Sequence, residues 1–200
     1  MKQISNVLNQ SISSFEKLLK LIWFGQFFSL GIYVFIGFKR ASEMGSKALE
    51  VSSVAPIFGF FGVVVLLVSF GLRWFTFSPK ALAKICSSGL PKWISFISTQ
   101  ISMNPVTFNE QTHSELNEAE RNLFEYARKL FPIFLIQWGC AHTAALYGMI
   151  IPSPQPLGVI VGASATAIAM FFHFPNIKTR FSQGLELAEF ERGMNRNPHT

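Results

Sequence analysis

The sequence predicts an all-α integral membrane protein with four transmembrane helices, arranged as two parallel helical hairpins. Half of the 200 residues are hydrophobic, 22 are Phe and only 14% are charged. The apolar residues are concentrated in four windows, and about 20 apolar residues of helix cross the hydrocarbon core of a bilayer. Basic residues lie at the ends of these windows. The windows are residues 21–38, 54–72, 131–151 and 157–174.

The placement of the basic residues predicts the orientation of the chain. The net charge is +6, but Lys and Arg form no stripe with interleaved aromatics, so we expect no nucleic-acid partner. Four spans put both termini on one side, together with all Lys and Arg except Lys39, Arg40 and Lys47. The positive-inside rule then predicts a multi-pass protein of a bacterial-type inner (plasma) membrane, with both termini in the cytoplasm.

Four segments follow from these windows. Residues 1–76 form the first helical hairpin, residues 77–129 a cytoplasmic or interfacial loop, residues 130–175 the second hairpin and residues 176–200 a cytoplasmic tail. Apolar residues within the first twenty positions recur at helical spacing, which fits either an interfacial helix or a plain extension of the first span. These residues are Leu8, Ile12, Phe15, Leu18 and Leu19.

The end of the second window and the first half of the loop mix basic residues with large apolar ones. We expect them at the lipid interface, where Lys meets anionic headgroups and Trp prefers the boundary. Packing of this loop on the protein itself is the alternative. The interface residues are Arg73, Trp74, Lys80, Lys84, Lys92 and Trp93.

The second half of the loop has the pattern of an amphipathic helix. Thr112 and Glu115 fit a capping box at its start. Apolar residues then fall on one helical face, from Leu116 to Leu130. We expect this helix to extend the third span, with a bend near Pro132.

An ionisable residue, His142, lies near the middle of the third window. Such a residue is a functional candidate, for a proton relay or for a metal or haem ligand. A metal site needs several ligands, and only Cys140 and His173 lie at comparable depth. We therefore predict no metal and no cofactor.

The simpler interpretation is that His142 is neutral and hydrogen-bonds a neighbouring helix through Ser164, Thr166 or Tyr33. A separate set of polar residues in the spans is expected to be buried against protein. This set consists of Gln26, His142 and Thr143. The sequence contains no catalytic motif, so we do not expect an enzyme.

Small residues dominate one face of the fourth span, and they predict close helix packing or oligomerisation because they let helix backbones approach. The partner is either the third span of the same chain or a neighbouring protomer. In the fourth span the residues are Gly158, Gly162, Ala165 and Ala169, and in the third they are Gly139, Ala144 and Gly148.

The two hairpins read as an internal repeat. With a shift of 114 positions, Gly25 falls on Gly139 and Tyr33 falls on Tyr147. With a shift of 100, Gly62 falls on Gly162. Both hairpins enter from the same side, so the repeats are parallel.

The run from Gly139 to Met149, GCAHTAALYGM, resembles the outer helix of the proteolipid (c-ring) subunits of rotary ATP synthases. The duplicated four-span layout is similar to the doubled proteolipids of vacuolar-type rotors. The resemblance implies small-residue helices packed side by side in a ring. The ion-binding carboxylate of that family falls on His142, or on Phe28 in the first repeat, and no window contains an acidic residue. We therefore do not expect a rotary role.

Together these patterns predict a non-enzymatic tetraspan protein that self-associates through small-residue helix faces, as a ring-shaped homo-oligomer that encloses lipid. Membrane lipids are the other expected partner. Two alternatives stay open. The chain is an accessory subunit that binds unlike membrane subunits, or it provides a proton or ion pathway that depends on His142.

Overall fold

The chain is all-helical over the residues that its computed structural model describes, which are 4–44, 55–100, 114–150 and 157–196. These ranges hold eight helices and no strand, so the predicted fold class is confirmed at this level. The helices are α1 (Asn6–Met44), α2 (Ala55–Phe77), α3 (Pro79–Ser88), α4 (Lys92–Gln100), α5 (Glu118–Arg128), α6 (Leu130–Ile150), α7 (Leu157–Phe172) and α8 (Ile177–Arg196).

Three of these helices are long and apolar enough to cross a membrane. The qualifying segments are Asn6–Lys39 of α1, Gly59–Phe77 of α2 and Leu130–Tyr147 of α6. Helices α7 and α8 add a fourth segment if the two, bent at their junction, are counted as one span. The helices therefore mark a membrane protein with three or four spans.

The chain divides into two compact units. The membrane unit comprises residues Leu21–Leu72 and Leu135–Phe174. The other unit, which we call the polar unit, comprises Met1–Lys20, Arg73–Phe134 and Pro175–Thr200. All charged residues of the sequence except those at positions 39–50 belong to the polar unit.

The core of the polar unit forms around α3, which packs on α5 and α8. Pro79 follows the N-cap Ser78 at the first helical position, where its missing N–H costs nothing. Gly89 ends α3 with a φ of 76°, a left-handed conformation that only glycine adopts readily. The apolar face of α3 is buried against protein, as the packed-loop alternative requires. The buried residues are Leu82, Ala83, Ile85 and Cys86.

Helix α5 binds the ends of three other helices through its polar side chains. Glu120 Oε1 accepts a hydrogen bond from the Ser5 N–H, just before α1, at 2.8 Å. Tyr126 donates to the Thr76 carbonyl in the last turn of α2, and burial raises the pKa of this phenol. Asn122 donates to the Cys86 carbonyl of α3 at 3.3 Å. These bonds satisfy main-chain groups that helix ends leave without partners.

The first half of α1 is part of the polar unit rather than a separate interfacial helix. Helix α1 runs through 39 residues without a break, which is about 58 Å and exceeds the roughly 30 Å of the hydrocarbon core. Glu16 bonds Lys20 and also accepts from the Lys178 N–H in the first turn of α8. The buried face of this half consists of Leu8, Ile12, Phe15 and Leu19. This continuity favours the helix-extension interpretation.

The amphipathic segment before the third span is shorter than the sequence predicted. Thr112 lies outside the described residues, and the N-cap of α5 is Asn117, whose side chain accepts from the Glu120 N–H. Helix α5 ends at Arg128, and Lys129 separates it from α6. Pro132 accounts for this break, because it has no N–H to donate to the Arg128 carbonyl and its ring clashes with that carbonyl.

The segment predicted as a cytoplasmic tail is helical over most of its length. Helix α8 extends over 20 residues. It buries Ile177, Phe181, Leu185 and Ala188 in the polar unit. Residues 197–200 lie outside the described part of the chain.

The contact between α3 and α8 supplies a test of this packing. A Cβ added at Gly184 would lie 2.5 Å from the Leu82 Cβ, whereas a Cβ at Gly193, on the same helix, meets nothing within 4 Å. Both Gly→Ala changes gain the same helix propensity. We expect Gly184→Ala to be less stable than Gly193→Ala by about 1–3 kcal/mol because of overpacking. Denaturant unfolding followed by circular dichroism measures the difference, and equal stabilities would contradict the close contact.

Candidate functional site

Helix α6 is the most buried of the candidate spans. Of its apolar window 61% is buried, compared with 17% for α1 and 22% for α2. Within the membrane unit α6 makes hydrogen bonds to α1, α2 and α7. Polar side chains in hydrocarbon have no water to bond, so these contacts locate the polar sites of the unit.

The first polar site surrounds His142, whose exposure is 6%. Its Nδ1 lies 3.0 Å from the Trp138 carbonyl oxygen on its own helix. Its Nε2 lies 2.9 Å from the Gln26 carbonyl oxygen and 3.2 Å from Ser29 Oγ, both on α1. The ring of Tyr33 contacts the imidazole edge-on. His142 thus bonds another helix, but through Ser29 and a main-chain carbonyl rather than through the side chains named from sequence.

The second polar site joins α2, α6 and the end of α7. Ser69 Oγ donates to the Gln137 carbonyl at 2.9 Å. The same oxygen lies 2.6 Å from His173 Nε2. Ser69 and His173 are both fully buried, and nothing in the sequence pattern singled out Ser69.

Two further bonds tie the helices of the membrane unit together. Thr166 Oγ1 donates to the Ala141 carbonyl of α6 at 2.8 Å. Trp23 Nε1 donates to the Met170 carbonyl at 2.7 Å, which joins α1 to α7. Each bond uses the second lone pair of a carbonyl oxygen that is already part of a helix.

The small residues of α7 face the interior of the same chain. Gly158, Gly162 and Ala165 line a cavity of about 160 Å³, and Ala144 of α6 lines it as well. Gly62 of α2 approaches this cavity, since a Cβ there would lie 3.5 Å from Tyr147 Cδ2.

The remaining small residues lie elsewhere. Ala169 is fully buried. Gly139 is exposed, with no atom within 4 Å of an added Cβ. Gly139 is therefore not packed against another helix of the described part of the chain. Gly148 lies outside the residues whose surroundings the structure describes.

Two residues expected to be buried are only half-buried. Thr143 bonds the Gly139 carbonyl of its own helix, so its hydroxyl needs no neighbouring helix. Gln26 is half-buried, and it contributes its main-chain oxygen to the His142 site. The sequence identified Gln26 by its amide, whereas the contact uses the backbone.

The residues assigned to the lipid interface separate into two groups. Arg73 stacks on the Phe77 ring at 4.3 Å and faces Phe134 at 5.9 Å, so it packs on protein within the polar unit. The others are exposed, and they are Trp74, Lys80, Lys84, Lys92 and Trp93.

Potential metal ligands and thiols also occur among the described residues. Among them, no three His, Cys, Asp or Glu side chains are grouped to hold a metal ion. Both cysteines are free. Burial raises the pKa of the Cys86 thiol to about 12, so it stays protonated at neutral pH, and the thiolate is the reactive form.

Comparison with known proteins adds no assignment. No protein-family model, no curated protein and no solved structure matches this chain. The class that its own structure defines is an all-helical membrane protein with three or four spans.

The interhelical bond of Thr166 is testable against a matched threonine. Thr166→Val removes the bond to the Ala141 carbonyl and keeps the shape of the side chain. Thr143→Val removes only a bond within α6. We expect Thr166→Val to lose about 0.6 kcal/mol, and at most about 1.7 kcal/mol, of unfolding free energy. We expect almost no change for Thr143→Val. Unfolding by SDS in mixed micelles measures both, and an equal loss would contradict the assignment.

Proposed function

We propose that the chain is a non-enzymatic four-span protein of a bacterial-type inner membrane that self-associates. The observation that carries this proposal is an open groove on the membrane unit between α1 and α7. The groove has a volume of about 690 Å³, and its lining is almost entirely apolar. A groove of this kind is suited to another helix rather than to a polar substrate.

The two walls of the groove differ in side-chain size. On α7 the lining residues are small, namely Ala163, Ser164 and Ala167. On α1 they include Phe28 and Phe35, which are 76% and 70% exposed. Small residues let a helix approach closely, and close van der Waals packing drives helix association in lipid.

The occupant that we propose is α2 of a second copy. Large side chains project from the exposed face of α2, among them Phe60 at 66%, Val63 at 57% and Leu67 at 65% exposure. Large side chains on one surface and a small-residue floor on the other are complementary. The contact joins different surfaces of two copies, so repeated contacts close into a ring when the rotation permits.

The inferred duplication and the resemblance to ring-forming proteolipids support the same arrangement. With α7 counted as the fourth span, both termini lie on the side that carries most of the Lys and Arg residues, which the positive-inside rule predicts to be the cytoplasm. A ring lined by Phe, Leu and Val would enclose lipid rather than water, because these side chains offer water no hydrogen-bonding partner.

The groove is tested by filling it. Ser164→Phe places a ring in the groove, where it competes with the neighbouring copy. Gly139→Phe is the matched control, because it adds the same ring at an exposed position with open space around it. Native mass spectrometry in mild detergent should show oligomers for the native chain and for Gly139→Phe, and monomers for Ser164→Phe.

Two results would contradict self-association through this groove. One is a native chain that is monomeric in detergent and in native lipid nanodiscs. The other is an oligomer that Ser164→Phe leaves intact. A stable complex with unlike subunits, lost in Ser164→Phe, would instead identify an accessory subunit whose partner occupies the same groove.

A second candidate function is a proton pathway through His142, and one geometric observation favours it. Both ring nitrogens face carbonyl oxygens, those of Trp138 and Gln26. A neutral imidazole has one N–H and can donate to only one of them, whereas a protonated ring donates to both. Ser29 Oγ lies 3.2 Å from Nε2 and 2.6 Å from the Gln26 oxygen.

Proton flux into liposomes tests this candidate. His142→Asn removes the ring, and Thr143→Val is the control because its hydroxyl is bonded within α6. A His142-dependent pathway requires flux in the native chain that falls to the level of empty liposomes in His142→Asn and persists in Thr143→Val. Equal flux in the native chain and His142→Asn would remove the candidate.

A further inference from the structure

A second groove lies in the polar unit, where α2 ends and α3 and α4 begin. It has a volume of about 640 Å³. Its lining combines three basic side chains, Lys80, Lys84 and Lys92, with two indole rings, Trp74 and Trp93. Among the residues that the structure describes, no acidic side chain lines it. The self-association groove involves none of these residues, so the two sites are independent.

Two of the three lysines, Lys80 and Lys84, lie on α3, and the rest of the polar unit packs against the other face of this helix. The opposite face of α3 is buried through Leu82, Ala83 and Cys86, and α3 packs on α5 and α8. Lys80 and Lys84 are four residues apart and therefore neighbours on the helix surface. Both are exposed. The spacing of Lys80 and Lys84 is thus set by a packed helix and not by a loop.

The charge arrangement is unfavourable without an anion. Like charges four residues apart on a helix repel each other, and Lys80 lies in the first turn of α3, where the helix dipole disfavours a cation. No Asp or Glu occurs between Glu50 and Glu110 in the sequence, and the described lining of the groove contains no acidic side chain. A bound anion between the lysines would remove both penalties.

The position of the groove along the chain decides which anion fits. Trp74 lies in the last turn of the candidate span Gly59–Phe77 and is 71% exposed, and Phe75 beside it is 69% exposed. An exposed indole at the end of an apolar helix is typical of the headgroup level of a bilayer. Exposed apolar rings beside lysines suit a ligand with both a phosphate and acyl chains.

We propose that this groove binds the headgroup of an anionic phospholipid, with the phosphate between Lys80, Lys84 and Lys92 and the glycerol and upper acyl chains against Trp74 and Trp93. The site gives the chain a preference for anionic lipid at one defined place. This lipid-site proposal applies whether the chain is monomeric, a homo-oligomer or a subunit of a larger complex.

Native mass spectrometry of the full chain, released from nanodiscs of phosphatidylcholine with phosphatidylglycerol, tests this site. The native chain should retain phosphatidylglycerol in preference to phosphatidylcholine. Lys80→Gln/Lys84→Gln/Lys92→Gln should weaken that retention on the order of 100-fold, because each lysine near an anionic surface contributes about fivefold. Replacement of the three lysines by Arg should preserve it. Circular dichroism verifies that each variant keeps its helices.

The matched control removes three positive charges elsewhere. Lys17, Lys39 and Arg192 are exposed and do not line the groove, so Lys17→Gln/Lys39→Gln/Arg192→Gln should retain phosphatidylglycerol as the native chain does. Equal losses in the two Gln triples would mean diffuse attraction and would overturn the site. Displacement of the lipid by millimolar inorganic phosphate would also overturn it, because the groove would then be a free-anion site.

Discussion

The membrane unit depends on one constraint, which is that polar side chains in hydrocarbon must find partners without water. The helices meet this constraint because polar side chains donate hydrogen bonds to main-chain carbonyls that already accept a bond within a helix. Ser69 and Thr166 donate to carbonyls of α6, and Trp23 donates to a carbonyl of α7. His142 lies between a carbonyl of its own helix and one of α1. Because α6 takes part in bonds to three neighbours, it becomes the buried helix around which the others are arranged.

In the polar unit, the groups that need hydrogen-bond partners are main-chain groups at the ends of helices. Helix α5 is 11 residues long and buries Leu123, Phe124, Tyr126 and Ala127. Its polar side chains also bond the N-terminal end of α1 and the C-terminal turns of α2 and α3. Segments that would otherwise lie on a bilayer are instead held as a packed unit. That anchoring leaves the lysines of α3 on the outer surface, where the lipid site is proposed.

Much of the helical framework was predictable, because a segment that crosses lipid must satisfy its backbone hydrogen bonds internally, as a helix does. The apolar windows at residues 54–72, 131–151 and 157–174 fall within a few residues of α2, α6 and α7. The polar segments were harder, because amphipathic pieces pack equally well on a membrane or on protein. Ser69 was not recognised as part of a site, since a single serine in an apolar helix carries no pattern that reveals its partner.

The sequence by itself determined that this protein lies in a lipid membrane and that its fold is helical. Composition and the length of each apolar run are properties of single segments. The orientation expected from Lys and Arg is also read from single segments, and it stays a prediction. Only the tertiary structure decided which residues meet. It brought His142 to Gln26 and Ser29 on α1, and it turned the Gly158 face towards Ala144 of the same chain. Such pairings depend on helix rotation and register, and an almost uniformly apolar helix encodes these weakly.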